Sequence, residues 1–237
     1  MMRDPRYAIY FVPDADTALY RFGAAALGYD CFTGADVPTP DALPIDAGAW
    51  RELTREPRRY GFHATLKAPF RLAAGRTEAD LIDEFVAFSG TIDIAPTFEP
   101  AVSLLQRFVA IVPATARAAL DRLASSCVKH FDGFRAPLTS AERGRRLAAD
   151  LTTRQIGHLE RWGYPYVFED FRFHMTLTGT LSADCQESML AYLQRSLACN
   201  HGDGPISVDR LALLRQYHCG ARFVVLAHNA ISQGAFQ

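Results

Sequence analysis

The sequence predicts an α+β fold: a bilobed, pseudo-twofold arrangement of duplicated antiparallel sheets, with flanking helices and a central cleft. Three observations carry that expectation. Apolar runs of strand length alternate with segments in which apolar residues recur every three or four positions. The order of these elements repeats in the second half of the chain. One pattern, His-x-Thr-Leu, occurs once per half, at His63-Ala64-Thr65-Leu66 and His174-Met175-Thr176-Leu177. With 237 residues and 49% hydrophobic side chains, the chain can bury a substantial core. A single domain over residues 1–237 is expected, with a first repeat over about 7–106 and a second over about 107–229.

Taken in order, Tyr7 to Val12 is a β-favouring run ended by Pro13. Asp14 or Asp16 can cap a helix carrying Leu19, Phe22, Ala26 and Leu27, which stops at Gly28. Tyr29 to Arg59 contains four prolines and reads as a long irregular stretch. The first motif strand, Tyr60 to Phe70, follows. Thr77 caps an amphipathic helix with Leu81, Ile82, Phe85, Val86 and Phe88. Strands are expected over Thr97 to Leu105 and Phe108 to Val112. Leu120, Leu123, Ala124, Cys127, Val128 and Phe131 mark one face of the next helix. Ser140 caps a further helix over Ala141 to Trp162, and the second motif strand occupies Phe168 to Leu181. A helix from Ser182 and strands over Ile206 to Leu214 and Phe223 to Ala227 complete the chain.

Charge and cysteine usage narrow the class. A net charge of −1 provides no global basic field to draw the chain onto nucleic acid. The five cysteines are widely spaced without a Cys-x-x-Cys pair, so a zinc knuckle or redox pair is not indicated. No run of about 18 apolar residues suggests a membrane span, and the reading is a cytoplasmic protein, a monomer or weak dimer.

The motifs carry the chemistry. In a strand, His63, Thr65 and Lys67 share one face and Phe62, Ala64 and Leu66 the other; His174, Thr176 and Thr178 likewise oppose Phe173, Met175 and Leu177. Each motif thus offers an imidazole and a hydroxyl on the polar side of a half-buried strand. Two imidazoles suit the acid and the base of an in-line displacement at phosphorus, and two threonine hydroxyls can hold the non-bridging oxygens. Which histidine is base and which is acid stays open. Chance places the same tetrapeptide pattern on two of seven histidines in fewer than about one such sequence in a hundred.

The duplicated H-x-T-L with these flanking elements resembles the two-histidine (2H) phosphoesterase superfamily, which includes 2′-5′ RNA ligase-like proteins and cyclic phosphodiesterases. The longer strings Arg59-Tyr60-Gly61-Phe62-His63 through Phe70, and Trp162-Gly163-Tyr164-Pro165-Tyr166 with Phe171-Arg172-Phe173-His174, resemble a branch associated with phosphonate breakdown by C–P lyase. The resemblance implies a metal-independent, cofactor-free phosphoesterase acting on a small cyclic phosphate or phosphodiester. It implies catalytic roles for His63 and His174, and phosphate-binding roles for Thr65 and Thr176. A non-catalytic phosphate sensor and an RNA-end-processing enzyme are the alternatives; RNA fits the charge less well than a small phosphorylated substrate.

Neighbouring residues supply further candidates. Lys67 and Arg172 fall on the motif faces and are expected to meet phosphate. Tyr60, Arg58, Arg143 and Tyr164 are candidate substrate contacts. The other five histidines show no metal-ligand spacing.

Overall fold

The computed structural model describes residues 5–115, 117–202 and 204–231. The chain begins with β1 (Arg6–Phe11), α1 (Ala18–Leu27), α2 (Ala47–Leu53), α3 (Arg55–Arg58), β2 (Ala64–Phe70) and α4 (Glu78–Ser89). It continues through β3 (Thr97–Phe98), β4 (Pro100–Leu105), β5 (Phe108–Pro113), α5 (Ala118–His130), α6 (Ser140–Leu147) and α7 (Thr153–Trp162). The last elements are β6 (Met175–Thr176), α8 (Gln186–His201), β7 (Ile206–Ser207), β8 (Arg210–Gln216) and β9 (Val224–Ala230).

The α+β class holds, and the strand pairing shows how the halves combine. Seven strands form one antiparallel sheet in the order β4-β5-β6-β2-β1-β8-β9, not closed into a barrel. Outward from the β6–β2 junction, one wing runs β6-β5-β4 and the other β2-β1-β8-β9. The wings do not coincide with the halves of the chain. β4 follows β2 in sequence yet pairs with β5, and β8 follows β6 yet pairs with β1. A small second sheet, β3 with β7, ties the halves together again. The wings meet at one residue pair, Ala64 opposite Met175.

Local sequence explains most boundaries. Thr17, not Asp14 or Asp16, caps α1: its hydroxyl accepts the Tyr20 N–H, while Asp14 accepts the Asp16 N–H and pairs with Arg210. Thr77 and Asp80 close the expected capping box on α4. The expected helix from Ala141 to Trp162 is two helices. Thr139 with Glu142, and Thr152 with Gln155, each form a capping box, so a second start signal interrupts the run. The Tyr29–Arg59 stretch is not wholly irregular, since Asp46 caps α2 and α3 follows. Of the second motif stretch only Met175–Thr176 pairs as strand, after a 3₁₀ turn at Phe168–Asp170. A 3₁₀ turn at Ala183–Cys185 likewise precedes α8. No helix among the described residues is long and apolar enough to cross a membrane.

One core serves both wings. Phe11, Phe62, Ala64, Phe173, Met175 and Leu177 are all buried, and the Phe173 ring lies 6.4 Å from Phe11 and 5.1 Å from Phe98. All but Phe11, which belongs to β1, are residues assigned to the apolar side of the motif strands. Phe62 presses on α1 at Gly23, where a Cβ atom would stand 2.1 Å from the ring. Only glycine lets the helix and the ring approach so closely. Gly23→Ala is therefore expected to destabilise the fold by about 3 kcal/mol, read as a lower urea midpoint with little change in slope.

Candidate active site

The register at the junction builds the site. Because Ala64 faces Met175 in an antiparallel pair, His63 falls opposite Thr176 and Thr65 opposite His174. All four alternate with the buried Ala64 and Met175, so they share the other face of the sheet. Directly opposed side chains there have Cβ atoms about 5 Å apart, and the two imidazoles occupy a diagonal. Each histidine has a threonine two residues on and a threonine across the junction.

Both rings are anchored alike. Nδ1–H of His63 donates to the Gly61 carbonyl at 2.9 Å, and Nδ1–H of His174 donates to the Arg172 carbonyl at 2.8 Å. A carbonyl can only accept, so Nδ1 carries the proton and Nε2 of the neutral ring presents its lone pair. The Thr65 hydroxyl donates to Nε2 of His63 at 3.1 Å. Gly61 supplies the first anchor from a left-handed conformation, φ 75°, where a Cβ would lie 2.7 Å from Cys31. Tyr10, on β1, stacks on His63 with ring centroids 3.9 Å apart. Sequence reading missed Tyr10 as a site residue. Its signal was available in retrospect: it pairs with Thr65 across β1 and β2.

Burial dominates the electrostatics. It holds the His63 pKa down at about 4; the Gly61 carbonyl opposes the shift, and His174 adds to it through charge repulsion. Burial lowers the His174 pKa as well, against the Arg172 carbonyl. Both rings are neutral near pH 7 in the empty site.

The remaining candidates divide. Tyr60 stays close, with its ring 6.1 Å from that of His63. Tyr164 lies within electrostatic reach of the Tyr10 hydroxyl. The Arg172 side chain is exposed and enters no ion pair among the described residues, while its carbonyl does the anchoring. Lys67 does not share the His63 face. Tyr10 pairs with Thr65 but Ile9 with Lys67, so Leu66 is an extra residue in β2 and the bulge shifts Lys67 out of phase. Its ammonium donates to the Val128 carbonyl at 3.0 Å and lies 3.8 Å from Asp132. Thr178 is also turned to structure, accepting the Val109 N–H. Arg58 is buried and donates to Leu27 O, Arg51 O and Thr54 Oγ1, which fixes α3 against α1 and α2. Arg143 pairs with Glu160 on the surface at 2.7 Å. Neither arginine is placed to meet a substrate. Among the described residues, no three His, Cys, Asp or Glu side chains gather as a metal-ligand cluster.

The model of the family described as "Protein of unknown function (DUF1045)" matches residues 65–224, more than half of the chain. The chain belongs to the DUF1045 family. A protein named ribose 1,5-bisphosphate phosphokinase PhnN from Janthinobacterium sp. (strain Marseille) is 37% identical to this DUF1045 chain over 222 residues. Another of that name, from Laribacter hongkongensis (strain HLHK9), is 32% identical over 227 residues. Each match covers 92% of the DUF1045 chain and 49% or 50% of the relative, so the chain spans about half the length of these relatives. Among solved structures, Escherichia coli LigT in complex with 3′-AMP aligns over 98% of this chain and 100% of its own, at 14% identity and a TM-score of 0.44. A conserved protein of unknown function from Agrobacterium tumefaciens aligns over 95% and 86%, at 13% identity and a TM-score of 0.44.

The depressed His63 pKa has a consequence for stability. The unfolded chain takes up a proton near pH 6.5, whereas folded His63 refuses it until about pH 4. Unfolding thus gains protons in that window, and stability falls as the pH drops through it. His63→Gln is expected to flatten the fall between pH 6.5 and 4, leaving the contributions of His174 and His228, whose pKa values are lowered too. Urea denaturation at pH 7 and pH 5 reads the difference; equal slopes for both proteins would refute the assignment.

Proposed function

We propose that this chain is a two-histidine phosphoesterase that opens a cyclic phosphate on a small phosphorylated sugar, without a metal. One observation carries the reading: the two imidazoles sit diagonally across the β2–β6 junction, with both Nδ1 atoms tied back and Nε2 of His63 met by the hydroxyl of Thr65, the threonine proposed to hold phosphate. An acid on one side of phosphorus and a base on the other is the requirement of in-line displacement.

In the proposed reaction one neutral imidazole takes a proton from water as the new P–O bond forms. The other imidazole, protonated, gives its proton to the sugar oxygen as the old P–O bond breaks. Thr65 and Thr176 donate to the non-bridging oxygens, where charge accumulates. Burial keeps both rings neutral near pH 7, so the acid must acquire its proton as substrate arrives. The negative charge of the bound phosphodiester favours an imidazolium beside it and offsets the burial that lowers the pKa. Substrate binding then coincides with uptake of the proton the reaction needs.

The choice of a sugar rests on the relatives, which are named for a ribose bisphosphate. It also agrees with the near-neutral net charge, which gives RNA no extended basic track. We further propose that the two halves of the chain, about 7–106 and about 107–229, are repeats within one domain, and that the protein acts in phosphonate breakdown.

The test is a panel of cyclic phosphates, from nucleoside 2′,3′-cyclic to ribose 1,2-cyclic, assayed after chelator treatment. His63→Ala and His174→Ala are each expected to slow turnover about 100- to 10,000-fold. Thr65→Val and Thr176→Val should each cost about 100-fold or more in kcat. Undiminished turnover by the double alanine variant would sink the assignment. Tight binding of a cyclic phosphate without turnover would identify a binding protein instead.

A further inference from the structure

Further along β1 and β2, with neither histidine in its wall, lies a cleft of about 390 Å³, in the range of small-molecule sites. Arg6, Lys67, Arg71, Arg135, Arg145 and Arg146 all contribute to its wall, against one carboxylate, Glu142. We propose that this cleft is a second anion subsite, which receives a phosphate monoester on the same small molecule that presents its cyclic phosphate to His63 and His174. The proposal rests on the phosphoesterase reading of the histidines and extends it to a substrate carrying two phosphates.

The state of each cation supports a built anion site. Glu142 is taken by Arg71 at 3.0 Å, and Asp132 holds Arg135 at 2.8 Å. Arg6, Arg145 and Arg146 meet no carboxylate within ion-pair distance among the described residues. Arg6 uses Nε on the Gln216 side chain at 2.8 Å and packs over Phe223, leaving its terminal amino groups free. The Arg146 guanidinium lies 5.0 Å from the Tyr164 ring centroid, a stacking that fixes its position without neutralising it. Burial pulls its pKa below the ordinary guanidinium value, the mark of a cation partly stripped of water. Lys67 is only 3% exposed, and burial brings its pKa down to about 8. The bulge at Leu66 therefore moves this cation from the histidine face to the neighbouring cleft. A cluster of like charges in which Arg146 is partly stripped of water and meets no carboxylate gains from a bound dianion.

Position ties the cleft to the histidines. Arg6 stands four residues before Tyr10 on β1, about 13 Å along the strand, and Tyr10 stacks on His63. Tyr164 lines the cleft and lies near enough to perturb the Tyr10 hydroxyl. A sugar lying over Tyr164, with Tyr10 buried against His63, has the histidines at one end and the arginines at the other. The other arginine cluster on the surface does not compare, because Asp36 already pairs with both Arg51 and Arg222.

Calorimetric titration with ribose 5-phosphate tests the subsite directly. The wild-type chain and a His63→Gln/His174→Gln variant are expected to bind within about twofold of each other. Arg6→Gln/Arg146→Gln is expected to weaken binding about 10- to 100-fold. Arg146→Gln alone is a safe second variant, because α6 buries no residue, and it should show about tenfold weakening. Retained affinity in the folded arginine variants, or lost affinity in the histidine variant, overturns the proposal. In the kinetic arm, ribose 1,2-cyclic phosphate bearing a 5-phosphate should exceed the unphosphorylated compound in kcat/KM by about 10- to 100-fold. Arg146→Gln should erase most of that preference. If neither compound turns over while ribose 5-phosphate binding still follows the arginines, the phosphoesterase reading fails and the subsite stands. A short RNA that displaces ribose 5-phosphate at lower concentration than inorganic phosphate does would overturn the small-substrate assignment.

Discussion

The arrangement of this molecule depends on a very short seam. Two wings of a seven-stranded sheet touch through one cross-strand pair, Ala64 and Met175, and β6 is only two residues long. Everything at the site inherits its alignment from that pair. A slip of one residue would send the imidazoles to the apolar side and bring phenylalanines to the cleft. What resists the slip is burial behind the seam. Phe62, Ala64, Phe173, Met175 and Leu177 are each at most 1% exposed, and a slip would put the polar His63, Thr65, His174 and Thr176 in their place. The polar face is held in register by the apolar one.

The site combines two electrostatic environments that pull in different directions. Around the histidines, burial removes charge, so the rings rest neutral with Nε2 exposed to a ligand. In the adjoining cleft, arginines cannot lose their charge and so accumulate positive potential. An anion is therefore drawn in by one region and supplies the charge that the other lacks. The stacked Tyr10 lies between these regions, buried and far from ionising, because burial holds its pKa well above the usual phenol value. It separates them without adding charge of its own.

The motif strands were legible because period-two alternation and a repeated tetrapeptide are properties of sequence alone. His63, Thr65, His174 and Thr176 therefore came out on one face together. Other features needed coordinates. The bulge at Leu66 leaves no mark on an apolar run, so Lys67 was assigned the phase of His63. Arg58 was read as a candidate substrate contact, yet its hydrogen bonds to Leu27 O and Arg51 O join three helices. Threonine at 152 looked like an ordinary helix residue until its capping box divided α6 from α7. For Arg58 the deciding partners are distant in sequence, and for Lys67 the deciding geometry is local backbone that side-chain type does not encode, whereas the Thr152-x-x-Gln155 box was there to be read. The exchange of β4 and β8 between wings was equally hidden, since matched halves suggest self-contained lobes.

That exchange bears on how the chain comes into being during synthesis. β1 leaves the ribosome long before one of its two partners, β8: the Arg6 and Gln216 side chains bond across a separation of 210 residues. Until β8 emerges, one edge of β1 has no mate, and its buried aromatic residues wait without cover. β4 is better served, because β5 follows through a tight turn at Gln106 and Arg107. Assembly of the wing that carries His63 is thus the late event. A nascent chain stalled before β8 has already made both histidines but cannot yet complete the sheet behind the first of them.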